Sequence, residues 1–221
     1  MTKIIPFLQY PILNKIIILT FLLFIYTSIC AFSYAQHISS EISDSVFRLH
    51  VLANSDSIED QNLKYKVRDN LLKLMNSLCE DCKTKEDVIT IVTENQNLFK
   101  ENALNTIRDE GYNYNVNINI GNFEFPTKSY GDISLPCGLY DALRVEIGDA
   151  KGQNWWCVMF PPLCFVDISS GIVPEESKEL LENNLSDEEF ALISDNSNSQ
   201  IKFKFKLLEI FAKGDIITAK K

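Results

Sequence analysis

The hydrophobic pattern of the chain begins with a long apolar run close to the N-terminus. Residues 16–32 are apolar apart from two threonines and one serine, two lysines precede them, and the first acidic residue is Glu41. Residues 33–35 read Ser-Tyr-Ala, which fits the small-x-small pattern of a signal-peptide cleavage site. The run is slightly long for a signal-peptide core and slightly short for a membrane span. We therefore expect residues 1–35 to be a signal peptide, with an uncleaved membrane anchor as the alternative, and residues 36–221 to form one domain outside the cytoplasm.

The spacing of apolar residues then predicts a strand followed by a helix. Residues 47–54 alternate, which predicts a strand with its odd-numbered apolar side chains on one face. Asp56, with Glu59 three residues later, is predicted to cap the helix that follows. That helix has one apolar stripe, which consists of Leu63, Val67, Leu71, Leu74 and Leu78.

A second helix is predicted after a second capping motif. Thr84, with Asp87 three residues later, predicts its beginning, and its apolar positions continue to about Glu110. Gly111 is the first glycine of the chain, and we expect it to end this helix in the left-handed conformation. The first half of the domain is thus predicted to be largely helical.

The second half of the domain is predicted to contain most of the strands. In residues 112–120, aromatic and aliphatic side chains alternate strictly with asparagines, which predicts a strand with one buried and one solvated face. The other predicted strands are Ala142–Ile147, Cys157–Phe160 and Ile201–Phe211, and the predicted helices are Glu175–Asn183 and Ser186–Ile193. Because strands and helices occur in blocks, we expect an α+β domain with a mainly antiparallel sheet and helices packed on one face.

The charge balance argues against two classes of partner. The net charge of −9 becomes −11 if residues 1–35 are removed with their two lysines. An acidic chain does not neutralise phosphates, so we expect no nucleic-acid partner. For the same reason we expect no adhesion to anionic lipid, and contact with a membrane only through the N-terminal segment if it stays uncleaved.

Five of the six cysteines follow residue 35, where export would permit disulfides. Cys157 and Cys164 flank a Pro-Pro step and are the disulfide candidate if the chain turns back there. The odd number leaves at least one cysteine outside any intramolecular pair. Cys79 and Cys82 have the C-x-x-C spacing of redox and zinc sites, and the alternatives are a local disulfide or two loop thiols. Since zinc needs four ligands and the chain has two histidines, we expect no metal and no other cofactor.

The sequence offers few residues for catalysis. A nucleophile needs a neighbouring base, and the available imidazoles are His50 in the first strand and His37 near the predicted cleavage point. Phosphate-loop, serine-hydrolase and zinc-protease motifs do not occur in the sequence. We therefore predict that the protein is not an enzyme. The alternative is an exported hydrolase of peptide or cell-wall material that uses two carboxylates, or His50 with Cys137, Cys157 or Cys164.

Two segments are candidates for binding a partner. At Asn54–Asp56, a strand-to-helix turn either offers free backbone N–H groups to a partner or only caps the helix. Residues 154–167 read N-W-W-C-V-M-F-P-P-L-C-F-V-D and contain both tryptophans of the chain. Tryptophan and proline are costly to place loosely, so this segment is either central to the core or a rigid recognition surface. We expect Cys157–Phe160 to be core and the residues on either side of it to meet a partner.

Three motifs resemble those of the stage II sporulation protein R family of endospore-forming bacteria. They are R-L-H-V-L-A-N-S-D-S-x-x-D-Q-x-L-K-x-K-V-R-D at residues 48–69, A-L-R-V-E-I-G at residues 142–148, and the tryptophan motif at residues 154–167. The resemblance covers most of the chain between the first strand and the tryptophan motif. Cys137 departs from the family pattern, in which alanine is usual, so we do not expect it to take part in a shared mechanism.

The resemblance implies a secreted signalling protein that the forespore exports into the space between the forespore and mother-cell membranes. There, proteins of this family activate a membrane-embedded aspartic protease, which cleaves the pro-form of the early mother-cell sigma factor. We expect this chain to bind the extracytoplasmic part of that protease. The residues predicted to bind are Arg48, His50, Asn54, Asp56, Asp60, Arg68, Asn154, Trp155, Trp156, Pro161 and Pro162.

Overall fold

The computed structural model describes residues 11–163, residue 173 and residues 175–194. These residues form twelve elements, which belong to two compact units of the chain, Met1–Ile38 and Ser39–Lys221. The helices are α1 (Pro11–Asp44), α2 (Ile58–Leu78), α3 (Lys85–Glu94), α4 (Gln96–Asp109), α5 (Glu175–Asn184) and α6 (Asp187–Ser194). The strands are β1 (Phe47–Leu52), β2 (Val116–Phe125), β3 (Lys128–Tyr130), β4 (Ile133–Leu135), β5 (Gly138–Ile147) and β6 (Asn154–Phe160).

Helix α1 contains the apolar run that the sequence predicts to be a signal peptide or an anchor. Within the described part of the chain it is the one helix that is long and apolar enough to cross a membrane, and its apolar window is not buried. A signal sequence near an N-terminus has the same properties, so cleavage after residue 35 stays a prediction. The helix is continuous through this position and ends at Asp44.

The main sheet has four strands in the order β2-β5-β1-β6. Strand β5 lies antiparallel to β2, and β6 lies antiparallel to β1, whereas the central pair β1 and β5 is parallel. Strands β3 and β4 form a separate hairpin. The predicted α+β class with a mainly antiparallel sheet is confirmed, and the one parallel pair was not foreseen. The predicted strand Ile201–Phe211 lies outside the described residues.

The core lies between one face of the sheet and helices α2, α3 and α4. Strand β1 contributes its odd-numbered side chains to this face, as predicted. The largest buried side chains there include Phe47 on β1, Leu71 on α2 and Phe99 on α4. Burying an aliphatic or aromatic side chain of this size stabilises the fold by about 1.5–3 kcal/mol. The other face of the sheet carries the even-numbered side chains of β1, beginning with Arg48.

Two capping predictions are confirmed and one is wrong. Thr84 and Asp87 form a reciprocal capping box at the start of α3, and Gly111 follows α4 with a φ of 82°. Helix α2, in contrast, is capped by Ser57, whose Oγ accepts a hydrogen bond from the backbone N–H of Asp60 at 3.1 Å. The predicted cap, Asp56, accepts instead from the backbone N–H of Gln153 at 2.7 Å. A tertiary contact therefore uses the carboxylate that local spacing assigned to the helix.

Two element boundaries also differ from the prediction. The single helix expected to end near Glu110 is divided into α3 and α4 at Asn95, whose side-chain Nδ2 donates to the carbonyl of Ile91 at 2.9 Å. Asparagine competes in this way with the backbone hydrogen bonds of a helix. Strand β2 begins at Val116, not at residue 112, and the rings of Tyr112 and Tyr114 ahead of it stack on each other with centroids 5.5 Å apart.

Candidate partner-binding surface

The two adjacent tryptophans lie on opposite faces of the sheet. Successive side chains of a strand point to opposite faces, and both tryptophans belong to β6. Trp155 faces helix α2 and packs at the margin of the core, whereas Trp156 faces away from that core and stacks on His50. Both are half-buried. The sequence predicted the pair as one binding feature, and the alternation of the strand separates it into two environments.

Trp155 forms a surface cluster with two residues of helix α2, Tyr65 and Arg68. The Trp155 and Tyr65 rings meet edge to face with centroids 5.3 Å apart. The Arg68 guanidinium lies 4.3 Å from the Trp155 ring and 5.0 Å from the Tyr65 ring. The Trp155 indole N–H is buried and has no hydrogen-bond partner among the described residues. The surface cluster is therefore an ordered aromatic and cationic patch.

A network of polar side chains holds the loop after β1 to the start of α2. Asn54 Nδ2 donates to the Asp60 carboxylate at 2.8 Å, and Ser55 Oγ donates to the same oxygen at 2.5 Å. Asn54 Oδ1 also accepts from the backbone N–H of Asp149 at 2.9 Å. Burial raises the pKa of Asp60, but hydrogen bonds from Ser55, Asn54, Tyr114 and Ser57 outweigh that effect and lower it overall. Asp60 is thus a buried, ionised anchor of the loop.

The same loop is tied to the turn before β6. The backbone N–H groups of Lys151 and Gly152 donate to the carbonyls of Asn54 and Ala53 at 3.1 and 2.9 Å. A side chain at Gly152 would place its Cβ 2.2 Å from the carbonyl oxygen of Ser55, so glycine is required there. These contacts align the start of α2 with the start of β6, and thereby place Arg68 beside Trp155.

Lys64 also links helix α2 to the turn before β6, and its burial was not predicted from the sequence. It is 1% exposed, and its Nζ donates to Gln61 Oε1 at 2.5 Å and to the carbonyl of Gln153 at 3.0 Å. Burial, followed by the charge of Arg68, lowers the pKa of its ammonium group. A lysine beside an apolar helical stripe gives no sequence signal of burial, because its usual place is the solvated flank of such a stripe.

On the second face of the sheet, Arg48 is enclosed by aromatic rings. It is 0% exposed, and its guanidinium lies 4.1 Å from the Phe125 ring and 4.6 Å from the Tyr140 ring. Its Nη2 donates to the Tyr130 hydroxyl at 2.7 Å. Its Nε and Nη1 have no hydrogen-bond partner, and no ion pair joins it to the described residues. These four residues form what we call the arginine cage, in which ring faces take the place of a carboxylate.

His50 continues the arginine cage toward the edge of the sheet. Its ring stacks on Trp156 with centroids 3.7 Å apart, and its Nε2 shares a hydrogen bond with Asn154 Oδ1 at 2.8 Å. Burial lowers its pKa most. The bond to Asn154 opposes this as the second-largest effect, and the charges of Arg144 and Arg48 lower the pKa further, to about 4. His50 is therefore neutral at physiological pH and acts as a packing residue.

The proline and cysteine part of the tryptophan motif is only partly described. Pro161 is buried after a cis peptide bond, and Pro162 is half-buried, with its carbonyl accepting from Ser177 Oγ at 3.1 Å. Cys157 is buried on the core face and is disulfide-bonded. Its predicted partner Cys164 lies outside the described residues, so this pairing stays a prediction. Since His50 projects from the opposite face, it does not form a catalytic dyad with Cys157.

The structure thus separates the eleven residues predicted to bind a partner into three groups. Arg68 and Trp155 belong to the surface cluster. The second group is buried or makes contacts within the fold, and it consists of Arg48, His50, Asn54, Asp60, Asn154, Trp156 and Pro161. Asp56 is exposed at the rim of the loop, and Pro162 is half-buried beyond β6. Tyr65, at 36% exposure, was missed by the sequence analysis, because it stands on the helix among charged residues.

The described chain consists of an α+β domain that follows an apolar helix with the properties of a signal sequence or an anchor, and the domain carries an aromatic and cationic patch. Comparison with known proteins specifies the family. The model of the stage II sporulation protein R family matches residues 43–170, more than half of the chain, so the chain belongs to this family. This range includes the whole four-stranded sheet and the surface cluster.

A curated relative agrees with this assignment. Stage II sporulation protein R of Bacillus subtilis (strain 168) is 38% identical over 138 residues, which make up 62% of this chain and 62% of the relative. The chain thus spans less than two thirds of the length of the relative that it matches. No solved structure matches the chain. The resemblance drawn from the three sequence motifs is confirmed.

Proposed function

We propose that the protein is an exported signal of sporulation that binds a membrane-embedded aspartic protease and activates it to cleave the mother-cell pro-sigma factor. In this proposal it acts by binding and not as a catalyst. The forespore secretes it, or holds it by α1, in the space between the forespore and mother-cell membranes. The observation that carries the proposal is the family match, because it covers every element that positions the surface cluster.

The surface cluster is the part of the described chain best suited to contact the protease. Tryptophan, tyrosine and arginine are the residue types that dominate binding energy in protein interfaces. Here all three occur together, and the ring stacking and the tie between loop and turn hold them in place before binding. Preorganised side chains lose less conformational entropy on association, which favours affinity. Asp56 and Gln153, both exposed, lie at the rim.

Activation then requires the surface cluster to bind the active state of the protease more tightly than the inactive state. A ligand shifts a conformational equilibrium only by the difference between its two affinities. Rigidity of the cluster serves this purpose, since a fixed patch distinguishes two arrangements of a partner better than an adaptable one. The same site would also bind a dimeric form of the protease if dimerisation creates the complementary surface.

The decisive experiment reconstitutes the full chain with the membrane protease and its pro-sigma substrate in vesicles. We expect cleavage to appear only when the chain is present, and to fall at least about tenfold for Trp155→Ala, the usual effect of losing an interface residue worth more than about 1.4 kcal/mol. Arg108→Ala, at an exposed position of α4, is the matched control and should activate normally. Circular dichroism must show that both variants are folded.

Two results would contradict the proposal. Full activation by folded Trp155→Ala, Tyr65→Ala and Arg68→Ala variants would exclude the surface cluster as the contact. Hydrolysis of peptide or cell-wall material by the purified chain alone, with loss of that activity in His50→Ala, would favour the exported hydrolase instead.

A further inference from the structure

Cys79 and Cys82 lie together where helix α2 ends. The backbone N–H of Cys79 donates to the carbonyl of Met75 at 2.9 Å and completes the last turn of the helix. The backbone N–H of Cys82 then donates to the carbonyl of Cys79 at 3.2 Å, which closes a tight turn. Cys79 Sγ donates to Met75 Sδ at 3.7 Å, and Cys82 is one of the neighbours that raise the pKa of the Cys79 thiol. The turn therefore holds the two cysteines close together at the end of the helix.

Both side chains also pack against the hydrophobic core. Each is half-buried, each contacts the core cluster beneath α2 and α3, and neither is part of a disulfide. Between them, Glu80 and Asp81 are exposed to solvent. The pair thus stands at the boundary between core and solvent, where an oxidant can reach it and where the backbone already holds the two thiols close.

We propose that Cys79 and Cys82 form an oxidisable dithiol that closes into a local disulfide and fastens the end of α2 to the turn before α3. The oxidant is a disulfide, either a small molecule such as oxidised glutathione or the disulfide of an oxidoreductase. One thiolate attacks the oxidant and forms a mixed disulfide with release of one thiol. The second thiolate then displaces the other thiol, so that two S–H groups are oxidised and one external disulfide is reduced to two thiols.

The position of the pair indicates a structural closure and not a catalytic one. Reactive C-x-x-C pairs lie at helix N-termini, where the dipole stabilises a thiolate, whereas Cys79 lies at a helix C-terminus. Burial first, and then the neighbouring Cys82 and Asp87, raise the pKa of the Cys79 thiol to about 12. Because the reduced form is not stabilised as a thiolate, the disulfide is hard to reduce once it has formed. We expect closure to be slow and then persistent.

The test is to equilibrate the full chain, in detergent, with mixtures of oxidised and reduced glutathione, to quench with acid and to alkylate. Trypsin cleaves after Lys73 and Lys83, so one peptide, residues 74–83, contains both cysteines and no other. As the oxidised fraction of glutathione rises, we expect the doubly alkylated peptide to be replaced in one step by a peptide without alkyl groups. The mass of that peptide should be two hydrogens below the mass of the unmodified dithiol peptide. Cys30→Ser, which removes an exposed cysteine of α1, is the matched control and should leave the transition unchanged.

Single substitutions and thermal unfolding complete the test. In Cys79→Ser and Cys82→Ser we expect the remaining thiol to carry glutathione or an alkyl group, and the lighter peptide to be absent. Closure should raise the melting temperature of the wild-type chain by a few degrees, in line with the modest effect of a short loop, and oxidation should not raise that of Cys79→Ser.

Three results would overturn the inference. The first is a peptide 74–83 that stays doubly alkylated in fully oxidised glutathione, and the second is a disulfide from Cys79 or Cys82 to another cysteine such as Cys137. The third is protection from alkylation that a chelator removes and a reductant does not, which would indicate a metal site. None of these results depends on whether the chain activates a protease.

Discussion

Trp155 and Trp156 are identical neighbours with opposite surroundings. Trp156 stacks on the His50 ring and meets the Phe125 ring edge to face at 4.7 Å, and Phe125 in turn belongs to the arginine cage. Trp155 packs against the margin of the core and contacts Tyr65 and Arg68 of helix α2. One tryptophan is thus part of an aromatic layer on the second face, whereas the other covers the margin of the core.

Residue type alone therefore does not show which surroundings a tryptophan has in this protein. Both tryptophans belong to the same motif, and both are half-buried. Only the contacts distinguish them, because Trp156 packs on two aromatic rings of the second face and Trp155 packs beside a tyrosine and an arginine of helix α2. We therefore propose that Trp156 stabilises the second face and that Trp155 contacts a partner, and four predictions test this proposal.

The largest effect is expected at the centre of the arginine cage. Arg48→Ala should lower the free energy of unfolding by about 3–5 kcal/mol, because it leaves a cavity between two aromatic rings. Arg48→Met is the matched variant and should stay within about 1.5 kcal/mol of wild type, since the guanidinium it removes has two N–H groups without acceptors. Urea denaturation measures both. An equal loss of stability in the two variants would show that the positive charge of Arg48, and not the volume of its side chain, stabilises this face.

The two tryptophans should differ in stability when each is truncated. Trp156→Ala should cost about 3 kcal/mol, the lower end for large aromatic residues, because it removes contacts with two aromatic rings. Trp155→Ala should cost only about 1–2 kcal/mol, the sum of an aromatic pair and a surface cation–π contact. Urea denaturation measures the free energy of unfolding of both variants. Equal losses of stability, or a larger loss for Trp155→Ala, would contradict the different roles proposed for the two tryptophans.

Acidification should weaken the second face through His50. Its pKa is about 4 in the folded protein and 6.5 when unperturbed, so the unfolded chain takes up a proton first. The contribution is complete above the unperturbed value and is lost as the pH falls toward 4. At about 1.4 kcal/mol per pH unit, the loss should reach about 2–3 kcal/mol. Unfolding free energies at several pH values should show this slope in wild type and lack it in His50→Gln. Identical slopes would mean that His50 is not buried as a neutral ring.

The smallest effect on stability is expected in the surface cluster. Arg68→Lys keeps the charge but loses the planar group that lies on the Trp155 ring, so it should cost at most about 1 kcal/mol. A double-mutant cycle with Trp155→Ala isolates the contact. The same variant should still weaken activation of the protease. A stability loss above that of Trp156→Ala would place the cluster among the structural residues.

Local features of the fold were predictable, because neighbouring residues determine them. The capping box of Thr84 and Asp87, the left-handed Gly111 and the core face of β1 all follow from spacing within a few residues. The wrong cap of α2, in contrast, arose because a distant group intervened. The backbone of Gln153 uses the carboxylate of Asp56, so Ser57 caps α2 in its place.

The candidate site was predictable in composition but not in arrangement. The motif named both tryptophans and Arg68, yet nothing in it showed that the tryptophans serve different faces. Buried Lys64 and the aromatic enclosure of Arg48 were also invisible, because charged residues are usually exposed and their exceptions depend on partners far along the chain. The parallel pairing of β1 with β5, which sets His50 beside Arg144, is likewise non-local.

By itself, the sequence determined the family, the apolar N-terminal segment, the α+β class and the periodicities that create each helix and strand. These properties follow from the spacing of neighbouring residues and from motifs that can be recognised in the sequence alone. The tertiary structure was needed to show which face each tryptophan takes, which charges are buried and which cysteines lie close together. The reason is physical: burial depends on what packs against a side chain, and here the packing groups are residues 54–68 and 148–160, which the fold brings together across almost a hundred intervening residues.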